Sequence, residues 1–210
     1  FLISGISLGS IYAIIALGYT MVYGIAKMLN FAHGDIIMIG AYAGIIAVAQ
    51  MGLPPLIAVL LSILICALLG VLIERAAYKP LRSAPRMSVM ISAIGVSYLL
   101  QNLATYITGG LARPYPEISF LKKSFAVGSL NIKIITLLTP VLTILLVISL
   151  VIFIKHTKTG MAMRAVSKDF DTARLMGIKV NSVITVTFII GSFLAGVGSI
   201  LSVSYTHLTL

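Results

Sequence analysis

The sequence predicts an all-α fold, a polytopic bundle of transmembrane helices, and three observations support this prediction. Hydrophobic residues make up 60% of the 210 residues and charged residues only 10%, whereas soluble domains average about 25% charged residues. The mean hydropathy is +1.13. The apolar residues are gathered in six long runs, each near the roughly 20 residues that a helix needs to cross a bilayer. We therefore expect an integral, multi-pass membrane protein.

The apolar runs place six transmembrane spans along the chain. The first has no charged residue before Lys27. Gly52, Pro54 and Pro55 turn the chain between the second and third spans, because glycine interrupts helices and proline favours their first turn. The predicted spans cover residues 2–23, 31–50, 56–73, 87–107, 134–154 and 183–201.

The distribution of positive charge sets the orientation of these spans. Lys27, residues 74–86 and residues 155–182 together carry eleven of the 15 Lys and Arg residues, and the remaining four lie between residues 108 and 133. Cytoplasmic loops are enriched in Lys and Arg, so the richer set faces the cytoplasm and the 108–133 loop faces outward. The formal net charge of +10 thus reflects membrane topology. No recognition motif accompanies it, and we expect no nucleic-acid partner.

The cytoplasmic segment of residues 155–182 is too long and too patterned for a simple connector. Residues 161–177 predict one amphipathic helix that ends at Gly177, and Asn181 or Ser182 is predicted to cap the next span. The apolar face holds Ala162, Val166, Phe170, Ala173 and Gly177, and the polar face holds Arg164, Ser167, Lys168, Asp171 and Arg174. Two interpretations remain open from the pattern: the helix lies on the membrane surface, or it docks into a groove of a cytoplasmic partner. The small residues on its apolar face favour docking.

A second candidate site lies at the start of the second span, where Asn30, His33 and Asp35 stand close together in sequence. Asp35 is the sole acidic residue that the prediction places in a span rather than a loop, and an ionisable residue in a membrane is a functional hypothesis by default. The structural alternative is that Asp35 complements the helix dipole, that Asn30 caps the helix, and that His33 pairs with Asp35 or stays neutral. No further ligand lies at useful spacing, so no metal site is predicted.

Polar residues in the fourth span extend this candidate pathway. Gln101 and Asn102, with Ser92 and Ser97 before them, either line a pathway or form hydrogen bonds between helices. Catalysis finds no support, because the chain has no nucleophile with a matching base and no zinc signature. It has no phosphate-binding loop either, so we expect neither ATP hydrolysis nor a bound cofactor on this chain.

Several stretches of the sequence resemble one known family. They are residues 5–43, which include NFAHGD; IERAAYKPLR at 73–82; ISAIG at 91–95 and LQN at 100–102; and GMAMRA at 160–165, followed by Asp169, Ala173 and Gly177. The combination is specific, although one motif alone would be weak. Together these stretches resemble the LivH-type permeases, the inner-membrane components of branched-chain amino acid ABC transporters.

This resemblance implies a role for the cytoplasmic segment and a set of partners. The segment is similar to the family's coupling segment, which docks on an ATPase subunit, and the matching residues are Gly160, Arg164, Ala165, Asp169, Phe170, Ala173 and Gly177. The implied partners are a second, LivM-like permease, two ATPase subunits that use ATP, a periplasmic substrate-binding protein and the lipid bilayer. The implied location is the bacterial inner membrane. Closure of the ATPases on ATP would then tilt the spans and give alternating access.

Both ends of the sequence are expected to be incomplete. We expect a permease domain over residues 1–202 that is truncated at both ends, since the resemblance implies about eight spans in the full protein. The last residues, 203–210, read VSYTHLTL. They resemble a translated sequencing adapter and are expected to be a non-native tail.

The alternatives to an amino acid permease are a related permease, a secondary transporter or channel, and a membrane-embedded enzyme. A urea or short-amide permease of the same superfamily would have much the same fold, because a separate binding protein mostly sets selectivity. A secondary transporter or channel needs intramembrane charges for ion coupling, and Asp35 alone qualifies, which argues against it. A membrane-embedded enzyme would need a catalytic set that the sequence lacks.

Overall fold

The computed structural model describes residues 2–82, 84–110, 124–127 and 130–209, and it confirms the predicted all-α membrane fold. Most of these residues lie in α-helices. The helices are α1 (Leu2–Ala26), α2 (His33–Ala49), α3 (Pro55–Ile73), α4 (Arg86–Thr108), α5 (Ile134–His156), α6 (Lys158–Lys168), α7 (Phe170–Leu175) and α8 (Val180–Thr209). A π-helical turn, Glu74–Tyr78, continues α3.

Five of the six predicted spans are helices long and apolar enough to cross a membrane: α1, α3 with its π-helical turn, α4, α5 and α8. The predicted second span is also an apolar helix, α2, but its 17 residues fall short of the roughly 20 that a bilayer requires. It begins later than predicted because residues 27–32 are not helical. Lys27 takes a left-handed conformation, with φ +56°, which an α-helix cannot continue through.

Helix α8 is the centre of the bundle. It packs against α1, α2 and α3, and 67% of its span is buried, compared with 17% to 28% for the other four spans. Small residues let the backbones approach closely. A Cβ on Gly18 of α1 would lie 2.9 Å from the carbonyl oxygen of Gly191 in α8, and one on Gly40 of α2 would lie 3.0 Å from Ser199 Oγ.

Helices α4 and α5 lie at the edge of the bundle. The main contacts of α4 are with the π-helical turn and α2, and those of α5 are with α1 and α6. Large apolar side chains of α4 remain open, since Leu99 is 65% exposed and Tyr106 is 87% exposed. In a membrane these faces contact lipid or other protein chains.

Between α4 and α5, in the loop predicted to face outward, lies a short β-hairpin that the sequence analysis does not predict. Strands β1 (Ser124–Val127) and β2 (Leu130–Lys133) pair antiparallel, with Ser124 opposite Lys133. Each strand has only 4 residues, too few for a recognisable alternation. The other basic residues predicted on this side, Arg113, Lys122 and Lys123, lie outside the described residues.

Helix α8 continues beyond residue 202 as far as Thr209. Within this extension the Tyr205 hydroxyl donates a hydrogen bond to the Ser4 carbonyl oxygen of α1 at 3.1 Å. The predicted adapter origin of residues 203–210 and the predicted domain limits stay predictions.

Candidate functional site

Two of the predicted pathway residues, Asp35 and Gln101, form a direct contact. Asp35 lies in the first turn of α2, as predicted, and is 7% exposed. Its Oδ1 accepts a hydrogen bond from Gln101 Nε2 of α4 at 3.0 Å, and the same nitrogen donates to Ser97 Oγ at 3.1 Å. We call Asp35, Ser97 and Gln101 the polar cluster. It links α2 to α4.

The polar cluster lies near the middle of the membrane-spanning helices. The residue after Asp35, Ile36, accepts a hydrogen bond on its carbonyl oxygen from Cys66 Sγ at 3.5 Å. Cys66 stands midway along the Pro55–Tyr78 span. Gln101 is also inside its span, about 21 Å along α4 from Met87 and about 11 Å from Thr108 at 1.5 Å per residue. An ionisable side chain at this depth is costly, and such residues are typically functional.

The Asp35 carboxylate is only half satisfied. Its Oδ2 is buried and has no hydrogen-bond partner among the described residues. An ionised carboxylate offers about four acceptor sites, and buried polar atoms are nearly always hydrogen-bonded. Asp35 stands in the first turn of α2, where a negative charge complements the positive end of the helix dipole, and no described side chain caps this end.

His33 is buried beside the polar cluster but does not pair with it. Its imidazole is 3% exposed and meets the ring of Tyr19 edge-on at 6.1 Å. It fills the space beside Gly18, where a Cβ would lie 3.0 Å from an imidazole carbon. The ring faces the backbone of Ile15, and neither nitrogen reaches hydrogen-bond geometry with a described residue. The predicted pairing with Asp35 is therefore wrong, and His33 packs α2 against α1.

Asn30 connects the α1–α2 turn to the end of the third span. It is 2% exposed, and its Oδ1 accepts a hydrogen bond from the Tyr78 hydroxyl at 3.2 Å. The Leu29 carbonyl oxygen lies at the same distance from that hydroxyl. The N-cap position of α2 is Ala32, so the predicted capping of this helix by Asn30 is wrong.

Asn102 lies on α4 but outside the polar cluster. It is exposed, and its Nδ2 donates to the carbonyl oxygen of Tyr98 in its own helix at 2.7 Å. Neighbouring helical residues point about 100° apart, so Asn102 turns away where Gln101 turns towards Asp35. Ser92 donates to the Ala77 carbonyl oxygen at 3.5 Å and joins α4 to the π-helical turn.

The coupling segment, residues 158–177, consists of two helices rather than the single predicted one. Asp169, with φ −154° and ψ 127°, is extended and separates α6 from α7. Its Oδ1 accepts hydrogen bonds from the backbone N–H groups of Asp171 at 2.7 Å and Thr172 at 2.9 Å, which caps α7. The N–H groups of Thr172 and Asp171 also lower the pKa of the Asp169 carboxyl. A single helix was the wrong prediction because an aspartate can bond to the backbone ahead of it and start a new helix.

The apolar face of the coupling segment is turned inward. Met163 and Val166 are fully buried, Ala173 is 3% exposed, and α6 packs against α1, α5 and α8. Gly160 lies so close to α5 that a Cβ would be 2.5 Å from the carbonyl oxygen of Phe153. Most of the face that the pattern offers for docking on a partner is therefore occupied by the chain's own spans.

The outer side of the coupling segment remains open. Leu175 and Met176 are 88% and 77% exposed, and Arg174 pairs with Asp171 at 3.5 Å. Gly177 follows α7 with φ +79°, which confirms its predicted place at the helix end. Of the predicted coupling residues, Gly160 and Ala173 are buried, Ala165 and Phe170 are half-buried, and Arg164, Asp169 and Gly177 are exposed.

A charge network around the buried Glu74, at the carboxyl-terminal end of α3, escaped the sequence analysis. Glu74 is fully buried in the π-helical turn and forms an ion pair with Arg82. Its Oε2 accepts a hydrogen bond from Thr185 Oγ1 of α8 at 3.0 Å, and Arg82 also donates to Asn181 Oδ1. We call Glu74, Arg82, Asn181 and Thr185 the charge network. Its sequence signal was that Glu74 directly follows an apolar run, so that one more turn carries it into the bundle.

The same contacts correct the predicted cap of the last span. Helix α8 begins at Val180, so Asn181 and Ser182 lie inside its first turn and do not precede it. The Asn181 side chain is used by Arg82 instead. Burial lowers the pKa of the Arg82 guanidinium, and the charge of Glu74 opposes that shift.

A cleft of about 540 Å³ lies between the coupling segment and the rest of the bundle. Its walls come from the last residue of α1 and residues 27–29 after it, from Val89 and Met90 at the start of α4, and from Lys168 and Phe170 at the α6–α7 junction. The coupling segment thus borders the non-helical residues that lead into α2.

Comparisons with known proteins place the chain in a family. A family model for the permease component of branched-chain amino acid transport systems matches residues 1–209. The chain is 40% identical to the high-affinity branched-chain amino acid transport system permease protein BraD of Pseudomonas aeruginosa, over 95% of this chain and 69% of that protein. It is 39% identical to the corresponding protein LivH of Escherichia coli K12, over 94% of this chain and 68% of that protein.

A more distant relative comes from an archaeon. The chain is 26% identical to the probable branched-chain amino acid transport permease protein LivH of Methanocaldococcus jannaschii, over 90% of this chain and 61% of that protein. No solved structure matches the chain. The relatives are transport subunits rather than enzymes, and with the helices of spanning length they identify a multi-pass inner-membrane protein. The chain belongs to the family of permease components of branched-chain amino acid transport systems.

Proposed function

We propose that this chain is the membrane-spanning permease subunit of an ABC importer for branched-chain or related amino acids. The relatives from Pseudomonas aeruginosa and Escherichia coli are named as permeases of branched-chain amino acid transport systems, which supports this substrate class. No observation favours urea or short amides.

The two-sided geometry of the coupling segment is the observation that carries this proposal. Met163 and Val166 are buried against the bundle, whereas Leu175 and Met176 are exposed. Large apolar side chains exposed next to one another are typical of a protein interaction surface. A partner that binds the outer side would move α6, and with it the spans that α6 contacts. This favours a transporter driven by a separate ATPase over a self-contained secondary transporter.

The proposed assembly contains this chain, a second permease of the LivM type, two ATPase subunits and a periplasmic substrate-binding protein. The ATPase subunits use the ATP, and this chain binds no cofactor. The binding protein delivers the amino acid on the outward side, where the β1–β2 hairpin lies.

The proposed pathway passes the polar cluster. Asp35 and Gln101 contribute polar groups at mid-depth, while Asn30 and His33 hold the start of α2 through Tyr78 and Gly18. Closure of the ATPases shifts the coupling segment and, across the cleft, residues 27–32. The start of α2 then moves between two positions that open the pathway to opposite sides of the membrane.

A charge at Leu175 tests the docking role. In the complete transporter, Leu175→Glu is expected to lower co-purification of the ATPase roughly tenfold or more, because an unpaired charge in an apolar contact is costly. Leu175→Met, which keeps the contact apolar, is the matched control and should retain the ATPase. The measurements are ATPase recovery with the tagged permease and ATP-dependent leucine uptake in proteoliposomes. Undiminished recovery with Leu175→Glu, or uptake that persists with an inactive ATPase, would refute the proposal.

A further inference from the structure

We propose that the free oxygen of Asp35 binds the ammonium group of the transported amino acid halfway across the membrane. This inference rests on the proposed function and adds to it the group of the substrate that the permease itself recognises. The ligand class is a primary ammonium carried by an α-amino acid.

One oxygen of the Asp35 carboxylate accepts a hydrogen bond, and the other accepts none from a described residue. Gln101 Nε2 donates to Oδ1 at 3.0 Å, and Ser97 Oγ lies 3.1 Å from the same nitrogen and orients it. Oδ2 is buried without a partner, and within the described ranges Asp35 takes part in no ion pair. A buried carboxylate without a cation is unfavourable. An ammonium group supplies both the positive charge and the donors that Oδ2 lacks.

The start of α2 is a discontinuity inside the membrane. His33 packs beside Gly18, which lies about 12 Å along α1 from its cytoplasmic end at 1.5 Å per residue. The helix that starts here has only 17 residues and follows the non-helical residues 27–32. Interrupted helices at this depth are tolerated where they are buried or line a water-filled cavity, and in transporters they surround substrate sites.

The α4 side of the polar cluster is exposed. Gln101 is exposed and Ser97 is half-buried, and Thr105, one turn further along α4, is exposed as well. On α4, Ser97, Gln101 and Thr105 follow one another at a spacing of four residues, so they share one face. Polar side chains on a membrane helix face water or protein rather than lipid. Because Oδ2 is buried, an amino acid beside this face reaches it when α4 and the start of α2 move apart, as alternating access requires.

Other cations fit this site less well. Hard divalent ions take about six or more oxygen ligands, and no group of three His, Cys, Asp or Glu side chains that could hold a metal occurs in the part of the chain that the structure describes. A lysine or arginine from a neighbouring subunit would neutralise Asp35 permanently. Asp35 would then be needed for assembly of the complex. The experiment below measures assembly and leucine binding separately, so it distinguishes the two roles.

The experiment measures binding of radiolabelled leucine to the complete permease–ATPase complex in nanodiscs, without the binding protein. Excess leucine is expected to displace the label, whereas 2-hydroxy-4-methylpentanoate, which has a hydroxyl in place of the ammonium, is not. Asp35→Asn should weaken leucine binding roughly tenfold or more, because it removes a hydrogen bond between two charged groups. Thr20→Ala, which removes a hydroxyl bonded to its own helix α1, is the matched control and should bind leucine normally.

Assembly is measured for every variant as recovery of the ATPase with the permease. Asp35→Glu keeps the charge and should retain more leucine binding than Asp35→Asn. Undiminished binding in Asp35→Asn, equal displacement by the hydroxy acid, or loss of assembly in both Asp35 variants would each overturn the inference. If the wild-type importer is active but its permease–ATPase complex binds no leucine, the inference about Asp35 fails and the proposed function stands. If uptake does not require ATP, the proposed function fails.

Discussion

Two buried carboxylates of this bundle have opposite surroundings. Glu74 is fully buried and contacts both a guanidinium, from Arg82, and a hydroxyl, from Thr185. Asp35 is almost as deeply buried, yet it accepts from one neutral amide, that of Gln101, and its other oxygen has no hydrogen-bond partner among the described residues. A charge whose partners are all supplied by the chain holds helices together. A charge left half-paired is available to a ligand that arrives and leaves.

Their positions agree with this difference. The charge network joins the π-helical turn to the start of α8, directly after the coupling segment, and so it strengthens that end of the bundle. The polar cluster joins α2 to α4, a helix that makes few other contacts and exposes much of its surface. The cost of taking a charge out of water is offset only when its counter-charge and hydrogen bonds are all in place. The chain supplies these partners to Glu74 and does not supply them to Asp35.

Removal of Glu74 is expected to have the largest effect on stability. Glu74→Ala leaves the Arg82 guanidinium without its counter-charge, and breaking a buried pair costs about 3–5 kcal/mol. Thermal unfolding of the purified complex checks this. Lys79→Ala, at an exposed position of the same loop, is the control and should unfold like the wild type. If the Glu74→Ala protein were as stable as the wild type, the Glu74–Arg82 pair would not stabilise the bundle, and Glu74 would not differ from Asp35 in this respect.

Removal of the neutral partner of Glu74 should have an intermediate effect. Thr185→Val deletes the hydroxyl that donates to Oε2, and a hydrogen bond to a charged group contributes about 1.5–3 kcal/mol. The control is Thr187→Val in the same helix, where the hydroxyl donates to the Val183 carbonyl oxygen of α8 itself. Equal losses of stability in Thr185→Val and Thr187→Val would show that Glu74 does not depend on this contact.

Neutralisation of Asp35 should have the smallest effect on stability and a large one on transport. Asp35→Asn keeps the shape of the side chain and removes a charge that no described residue pairs, so we expect a change in unfolding free energy within about 1 kcal/mol. ATP-dependent leucine uptake should fall roughly tenfold or more. Denaturation and uptake are measured on the same preparation, with Asn102→Asp as a comparison that adds a charge on α4 about 100° away from Gln101. If the Asp35→Asn complex were as unstable as the Glu74→Ala complex, both carboxylates would stabilise the fold, and the predicted difference between them would be wrong.

The spans and the fold class could be predicted from the sequence because they depend on local composition. Runs of apolar residues show the helices of spanning length. Gly177 shows a helix end because glycine suits a positive φ. The start of α2 could not be predicted, since the break at Lys27 depends on how the connection packs against Tyr78. The division of the coupling segment could have been predicted, because Asp169 is a strong capping residue.

The candidate site was predicted only as separate pieces. Asp35 and Gln101 were both selected as polar residues in apolar runs, but they are 66 residues apart in sequence, and no spacing rule indicates that they touch. The reverse error occurred at His33, which is near Asp35 in sequence but on another side of the helix, because residues two apart do not share a face. Glu74 and Thr185 are 111 residues apart, and their contact depends on packing that the pattern does not contain.

The junction between α5 and α6 determines how the coupling segment works as a mechanical part. A single residue, Thr157, separates the two helices, its hydroxyl accepts from the Gly160 N–H at 2.9 Å, and Gly160 leaves no space against α5. The junction therefore leaves little room for α6 to move independently of α5. Under the proposed function, a displacement of the segment by a bound ATPase moves the spans. Substrate binding in the membrane then acts on the ATPase in return, as the reciprocity of coupled sites requires.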